Sequence, residues 1–383
     1  MKTLIRCALA AAASAACFAH ALAADLKVGL STSLSGPNSS LGIPYAKGMQ
    51  AALAYKGEVN GRKIQLIVLD DGSDPTAAGR NARKLVEEEK VDVLMGTSGG
   101  PAAIAIAQAG RDGKTPMIAL TPLSVVPAEN PWVVTVAQPT QLMVDAVVER
   151  MKRNGVKTVG YIGFSDVWGD LVYDALMKAT PAAGIKVVSN ERYARADASV
   201  TGQVLKIVAL HPDAVMTGGA GTPGALPFLA FAERGFKGGM YGQHGLINPD
   251  FIRVSGASAQ GALMPTGPVI VAEALPADYP TRKIALDFRT VYQKVNNAPS
   301  TDAFSAYSFD AWLVFLDAAA RAMPKAEPGT PEFRVALRDA IFATKELVGT
   351  HGVYNFKPGN LYGVDERARV VVKLDNGQWK LAP

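Results

Sequence analysis

Val91-Asp-Val-Leu-Met95-Gly-Thr-Ser-Gly-Gly100-Pro-Ala-Ala-Ile-Ala-Ile-Ala-Gln-Ala-Gly-Arg111 decides the fold. A short apolar run, a glycine-rich loop and a proline-opened apolar helix follow one another without a break. Val91–Met95 is short enough for a buried strand, and Pro101 stands where a helix tolerates a missing N–H. The same unit lies on both sides. Upstream, strands are expected at Leu26–Leu30 and Lys63–Leu69, with helices from about Pro44 to Tyr55 and from Pro75 to about Glu89. Asp74 is the expected N-cap of the second helix. A loop is expected over Ser31–Ile43, and a fourth strand over Met117–Leu120. Short apolar strands alternating with helices imply a doubly wound parallel sheet.

The rhythm restarts after Pro139. Helices are expected at Thr140–Asn154, Asp166–Ala179, Val200–Leu210 and Pro223–Arg234, with strands at Thr158–Ile162, Ile185–Ser189 and Ala214–Thr217. This is a second α/β lobe. Beyond Gly267 come three long helices, about Thr281–Lys294, Ser305–Ala322 and Pro331–Ala343, without new parallel strands, so the chain is expected to return and cover the first lobe. Val370–Leu374 and Gln378–Leu381 read as strands joined by an Asn376-Gly377 hairpin turn.

Lys2 and Arg6, the apolar stretch Ala8–Ala19 and Ala21-Leu22-Ala23 have the order of an export signal cleaved after Ala23. The stretch is too short to span a bilayer. Cys7 and Cys17 are the only cysteines and both lie in that signal, so the mature chain uses no disulfide. A lipid anchor at Cys17 is the alternative, but Ser14-Ala15-Ala16 lacks its usual leucine-type position. Length, 383 residues, suggests two domains, and 49% apolar composition supports a globular fold. The net charge of +5 is mild and spread out, which argues against nucleic-acid or membrane-surface binding.

Two motifs suggest other functions. Gly96-Thr97-Ser98-Gly99-Gly100 matches G-x-S-x-G between a strand and a helix, so a secreted serine hydrolase using Ser98, with His351 and Asp310 or Asp317, is the enzyme alternative. Against it, the expected mature chain has no histidine before His211, hence no His-Gly oxyanion motif. The other reading is a helix N-terminus whose N–H groups face a ligand anion. Gly219-Ala-Gly221-Thr-Pro-Gly224 matches G-x-G-x-x-G, yet no acidic residue follows in the next strand to hold a ribose. Neither a metal nor a cofactor is expected: His211, His244 and His351 are unpaired at ligand spacing. His211 reads as a solvated helix end and His351 as an idle turn residue. His244 in Gly242-Gln-His-Gly245 falls in an expected cleft loop and reads equally as a ligand contact or as a surface histidine, while Trp168 at a helix start reads as a cleft residue able to stack on a ligand.

The mature chain resembles the leucine/isoleucine/valine-binding family of type I periplasmic solute-binding proteins. The resemblance rests on Leu34-Ser-Gly-Pro37, Gly42, Asp70-Asp71-Gly-Ser-Asp-Pro75, Gly96, Thr121-Pro122, Asp166-Val-Trp-Gly169 and Gly218-Gly219, in order and spacing. It implies two Rossmann-like lobes joined by three crossovers, near Ala137, Pro268 and Val353. Lobe 1 would comprise residues 24–137 and 268–353, and lobe 2 residues 138–267 and 354–383. It also implies hinge closure on a small molecule, a form of motion known for this receptor class. Docking on the permease and ATPase subunits of an ABC importer would follow, with the receptor a monomer in the periplasm.

The resemblance places the ligand against Ser40, Leu41, Ser98, Gly99, Gly100, Thr121, Leu123, Ser124, Trp168, Gly219, Ala220 and His244. Departures from the family narrow the ligand. The family's carboxylate-binding hydroxyl falls on Gly100, and a zwitterion-binding threonine falls on Val125. The glutamate that pairs with an α-ammonium falls on His244, cleft tyrosines fall on Trp168 and Ala220, and the usual disulfide positions fall on Ser73 and Gly99. A buried ammonium without a carboxylate is costly. The expected ligand is therefore a small aromatic or apolar carboxylate of benzoate or hydroxycinnamate type, the alternative being a branched-chain or other amino acid.

Overall fold

The computed structural model describes residues 25–382; the export signal and its cleavage site lie outside the described residues. In the first third, β1 (Leu26–Thr32), α1 (Ser39–Tyr55), β2 (Glu58–Val59), β3 (Arg62–Asp70), α2 (Pro75–Glu87), β4 (Val93–Gly96), α3 (Gly100–Asp112), β5 (Met117–Ala119) and β6 (Val133–Thr135) follow in order. They form one sheet, β2-β3-β1-β4-β5-β6, parallel except for the β2–β3 hairpin. Buried on both faces, its central strands are nearly all apolar, as the continuous runs at 26–30 and 91–95 indicated.

The second lobe contains α4 (Thr140–Arg153), β7 (Thr158–Phe164), α5 (Val167–Ala183), β8 (Lys186–Tyr193), α6 (Thr201–Val208), β9 (Ala214–Gly218), α7 (Leu226–Glu233), β10 (Gly239–Tyr241), α8 (Pro249–Ser255) and β11 (Leu263–Thr266). The chain then adds α9 (Arg282–Asn296), α10 (Phe304–Ala322), α11 (Pro331–Phe342), the small pair β12 (Leu347–Val348) and β13 (Val353–Tyr354), and finally β14 (Val370–Asp375) and β15 (Gln378–Leu381). The second sheet runs β15-β14-β11-β10-β9-β7-β8, with β14 and β15 antiparallel. Their turn has φ of 49° at Asn376 and 73° at Gly377, the left-handed pair a tight hairpin needs.

The returning helices do cover the first lobe. α10 buries nearly its whole circumference and lies along α1. The helices touch at Gly48, where a Cβ would stand 2.0 Å from the Ser305 carbonyl oxygen. Gly48→Ala therefore forces backbone apart, and we expect a loss of about 3 kcal/mol in urea unfolding, at the upper end for an overpacked core.

Among the boundaries that differ from expectation, three bear on the site. α1 begins at Ser39, so Ser40 and Leu41 lie in its first turn and Pro44 is inside it. The Leu41 and Gly42 N–H groups bond to the Asn38 carbonyl, which starts the helix ahead of the proline. β8 continues to Tyr193, because its polar residues Asn190, Glu191 and Arg192 lie on a sheet edge. Beyond Val353, where the third crossover is expected, the chain stays with the first lobe. Tyr362 bridges Thr135 of β6 and Leu361 is buried beside β5 residues, so the passage into the second sheet lies between Tyr362 and Val370.

Candidate functional site

Ligands of open α/β sheets sit beyond the carboxyl ends of strands, where the strand order reverses. In the first sheet that point lies between β1 and β4, which pair at Ser31 and Gly96. In the second it lies between β7 and β9, which pair at Gly163 and Gly218. The loops leaving these four strands face one another across the interlobe cleft. A narrow cavity lies there, lined by residues of both lobes.

Leu41, Ser98, Gly100, Thr121, Trp168, Ala220 and His244 of the expected set line this cavity. Ser40 stands beside it as an interlobe contact, its Oγ accepting the Thr222 N–H at 3.1 Å. Gly219 holds a wall in place, its carbonyl accepting the Trp168 indole N–H at 3.3 Å. Gly99 faces the Asn38 side-chain amide instead. Two expectations are corrected. Leu123 is buried in a separate apolar cluster with Ala102, Ala103 and Leu361, and Ser124 is exposed in another groove. β5 ends at Ala119, and past Pro122 the chain runs into a groove shared with α4 and α5 of the second lobe, so these residues do not line the cavity.

The rest of the wall is Tyr45, Leu120, Ala137, Arg195, Phe304 and Tyr307, which sequence reasoning missed, with Pro122 and Gly245 from loops it had placed at the cleft. Two of these are tyrosines with committed hydroxyls. Tyr45 donates to the Leu120 carbonyl at 2.6 Å and Tyr307 donates to Gln138 Oε1, so both present rings to the cavity. Among the described residues Arg195 is the one charged side chain in the lining. Its Nε donates to Asp166 Oδ2 at 2.6 Å, its Nη1 to Asn38 Oδ1 at 3.1 Å, and its guanidinium lies 4.1 Å from the centre of the Phe164 ring. Asp166 also caps α5, accepting from the Trp168 and Gly169 N–H groups. One carboxylate thus orients both the cation and the indole. The longer β8 carries Arg195 into the cleft; a strand read as ending at Ser189 hides it.

His244 is 3% exposed. Its ring stands edge-on to Trp168, centroids 5.3 Å apart. Burial pulls its pKa down from the usual histidine value to about 4, so the ring is neutral at pH 7. Nδ1 lies 3.3 Å from Gln243 Oε1, and with the amide in this orientation the oxygen accepts, which assigns the proton to Nδ1. In that tautomer Nε2 is a buried acceptor with no partner among the described residues. Ser98 Oγ pairs with Thr32 Oγ1 at 3.3 Å, at the head of α3, whose first N–H groups have no acceptor within the helix.

No catalytic triad forms around Ser98. His351 is fully buried elsewhere, its Nε2 donating to the Ala303 carbonyl at 2.9 Å, and Asp310 accepts from the His351 backbone N–H rather than from its ring. It is not an idle turn residue: the turn carrying it folds inward onto α10. The glycine motif at 219–224 forms a tight turn, with Gly221 at φ 59° and its N–H bonded to the Gly245 carbonyl. Among the described residues no group of three or more metal-binding side chains is assembled, and no helix is long and apolar enough to cross a membrane.

Residues 25–356 match the family model described as periplasmic binding protein. The chain belongs to the periplasmic binding protein family. Within it, this receptor falls in the leucine/isoleucine/valine-binding branch. A Leu/Ile/Val-binding protein homolog 3 from Brucella melitensis is 26% identical over 64% of this chain and 68% of that protein. An extracellular ligand-binding receptor from Rhodopseudomonas palustris is 43% identical, with a TM-score of 0.90 over 94% of this chain and 99% of that one. A solute-binding protein of an ABC transporter from R. palustris, solved in complex with benzoate, shares the fold at 21% identity, TM-score 0.79, over 94% and 95% of the two chains. Family and relatives are solute-binding proteins, so the chain is a solute-binding receptor of the periplasmic binding protein type and not an enzyme.

Proposed function

We propose that this receptor, cleaved after Ala23 and acting as a monomer, binds a small aromatic carboxylate of benzoate or hydroxycinnamate type. It delivers that acid to the permease and ATPase subunits of an ABC importer. The observation that carries the reading is the polarity of the cavity wall: among the described residues Arg195 lines it, while its partner Asp166 does not and no other aspartate or glutamate does. An anion gains a charge-assisted hydrogen bond from the guanidinium N–H groups that face the cavity, whereas the Asp166 carboxylate is already engaged with Arg195 and the head of α5 and is not free to pair with an α-ammonium. The ligand carboxylate lies toward Arg195, Ser98 and the head of α3. Its ring lies among Leu41, Tyr45, Trp168, Phe304 and Tyr307, and a hydroxyl at its far end donates to His244 Nε2. The benzoate complex of the R. palustris protein is an instance of this fold holding such an acid.

A thermal-shift panel tests the reading. Benzoate, 4-hydroxybenzoate, cinnamate and 4-hydroxycinnamate are set beside leucine, isoleucine and valine. Ligand at 1,000 times its Kd stabilises the folded state by about 4 kcal/mol, a clear rise in Tm. A rise with the acids and none with leucine is expected; a rise with leucine alone overturns the ligand class while leaving the receptor in place.

A further inference from the structure

The three passages between the lobes meet at one side chain. Gln138 lies in the first, just after β6, and is fully buried. Its Oε1 accepts from the Tyr307 hydroxyl, on the lobe-1 helix that walls the cavity. Its Nε2 donates to the Ala368 carbonyl at 3.0 Å, in the third passage just ahead of β14, and lies 3.4 Å from His351 Nδ1. His351 Nε2 already donates to Ala303, so Nδ1 is an acceptor and the Gln138 amide is fully used. The second passage closes the group: a Cβ on Gly267 would stand 1.9 Å from His351 Nδ1 and 2.9 Å from Gln138 Nε2. Tyr307 stacks on His351 with centroids 3.8 Å apart and planes 10° from parallel.

We propose that Gln138 is a positioning residue that ties the cavity wall at Tyr307 to all three interlobe passages and thereby sets the balance between open and closed lobes. Bending of the lobes changes backbone torsions in these passages. A side chain bonded across two of them, and wedged against the other, either moves with the bend or opposes it. The cavity face of Tyr307 is where a bound ring presses, so ligand contact and lobe angle act on the same buried group. A ligand shifts such an equilibrium only by its unequal affinity for the two states. The proposal rests on the receptor reading and is independent of which solute binds.

The test needs two labels. Residues 25–382 contain no cysteine. Glu87→Cys on α2 and Lys178→Cys on α5 are exposed, one on each lobe, and take spin labels for distance measurement. Distances are read first without ligand, in the parent, Gln138→Leu, Tyr307→Phe and the double variant. The parent is expected to show a larger closed population than either single variant, and the double variant to match Gln138→Leu, because that change already removes the bond that Tyr307→Phe cuts. With 4-hydroxycinnamate as probe, each single variant is expected to release it about tenfold faster. Unchanged distances in both variants, or additive shifts in the double, overturn the proposal. Tyr307→Phe keeps the ring and its stack, so the test survives if Gln138→Leu does not fold. If no aromatic acid binds, the ligand reading fails while the ligand-free distances still decide this one.

Discussion

Arg195→Met is expected to weaken binding of 4-hydroxycinnamate by about 100-fold, measured by titration calorimetry, since truncating one partner of a buried charged pair costs about 2–5 kcal/mol. Three effects act in the same direction. The one positive charge in the cavity wall is lost. Asp166 loses the Nε donor at 2.6 Å and stands as a free carboxylate beside an incoming anion. The 3.1 Å bond to Asn38 across the cleft is also lost, so the closed form has one contact fewer. Folding is expected to survive, because Asp166 still caps α5 through Trp168 and Gly169. Arg195→Lys separates the terms: it restores the charge but not the fork that reaches Asp166 and Asn38 together. A loss under threefold for Arg195→Met would place the carboxylate away from Arg195.

His244→Leu is expected to remove the receptor's preference for a hydroxylated ring. In the parent, 4-hydroxycinnamate should bind at least tenfold more tightly than cinnamate, because cinnamate leaves Nε2 buried and unpaired at a cost of about 1–3 kcal/mol. In the variant the two acids should bind alike, the loss falling on the hydroxylated one. Two terms oppose each other in the free variant: the unpaired Nε2 is gone, but Gln243 Oε1 loses its donor, so its stability should stay within about 1 kcal/mol of the parent. pH gives a second check. The folded pKa of His244 lies near 4, below the value of a free histidine. The ring is therefore neutral from pH 8 to pH 5, and its contribution to affinity should be flat there. Affinity should fall only as pH drops through about 4 and the acceptor is protonated. A titration of affinity centred between pH 6 and 7 would show a charged imidazolium in the complex and overturn the assigned hydrogen bond.

Local signals made much of the fold legible in the sequence. Apolar runs such as Val91–Met95 become central strands because parallel sheets are covered on both faces. Asp74 accepts the Ala77 N–H at 2.6 Å as an N-cap should, and Asn376-Gly377 turns the last hairpin. These are short-range effects, settled by a few neighbouring residues. The same holds for the cleft loops that begin where a strand ends, which brought Ser98, Trp168 and His244 to the site. Where a strand end is concealed, the reading fails. The polar edge residues 190–192 of β8 resemble a loop, so Arg195, the residue that fixes the charge of the site, escaped notice.

The sequence by itself determined the alternation of strands and helices, the two lobes and the loops from which a site is made. Tertiary structure alone decided which loops reach the cavity. Leu123 and Ser124 turn away from it, while Phe304 and Tyr307 arrive from a helix more than 170 residues beyond β5. It also decided that His351, alone in its turn, meets Gln138 and Tyr307 beside the interlobe passages. The physical reason is common to these cases. Hydrogen-bond periodicity and capping act within a few residues and leave a local pattern, whereas a cavity wall is set by how α10 lies against α1 and how two sheets face each other. That arrangement depends on side-chain volumes distant in the chain, such as the missing Cβ at Gly48, and leaves no pattern at any single place.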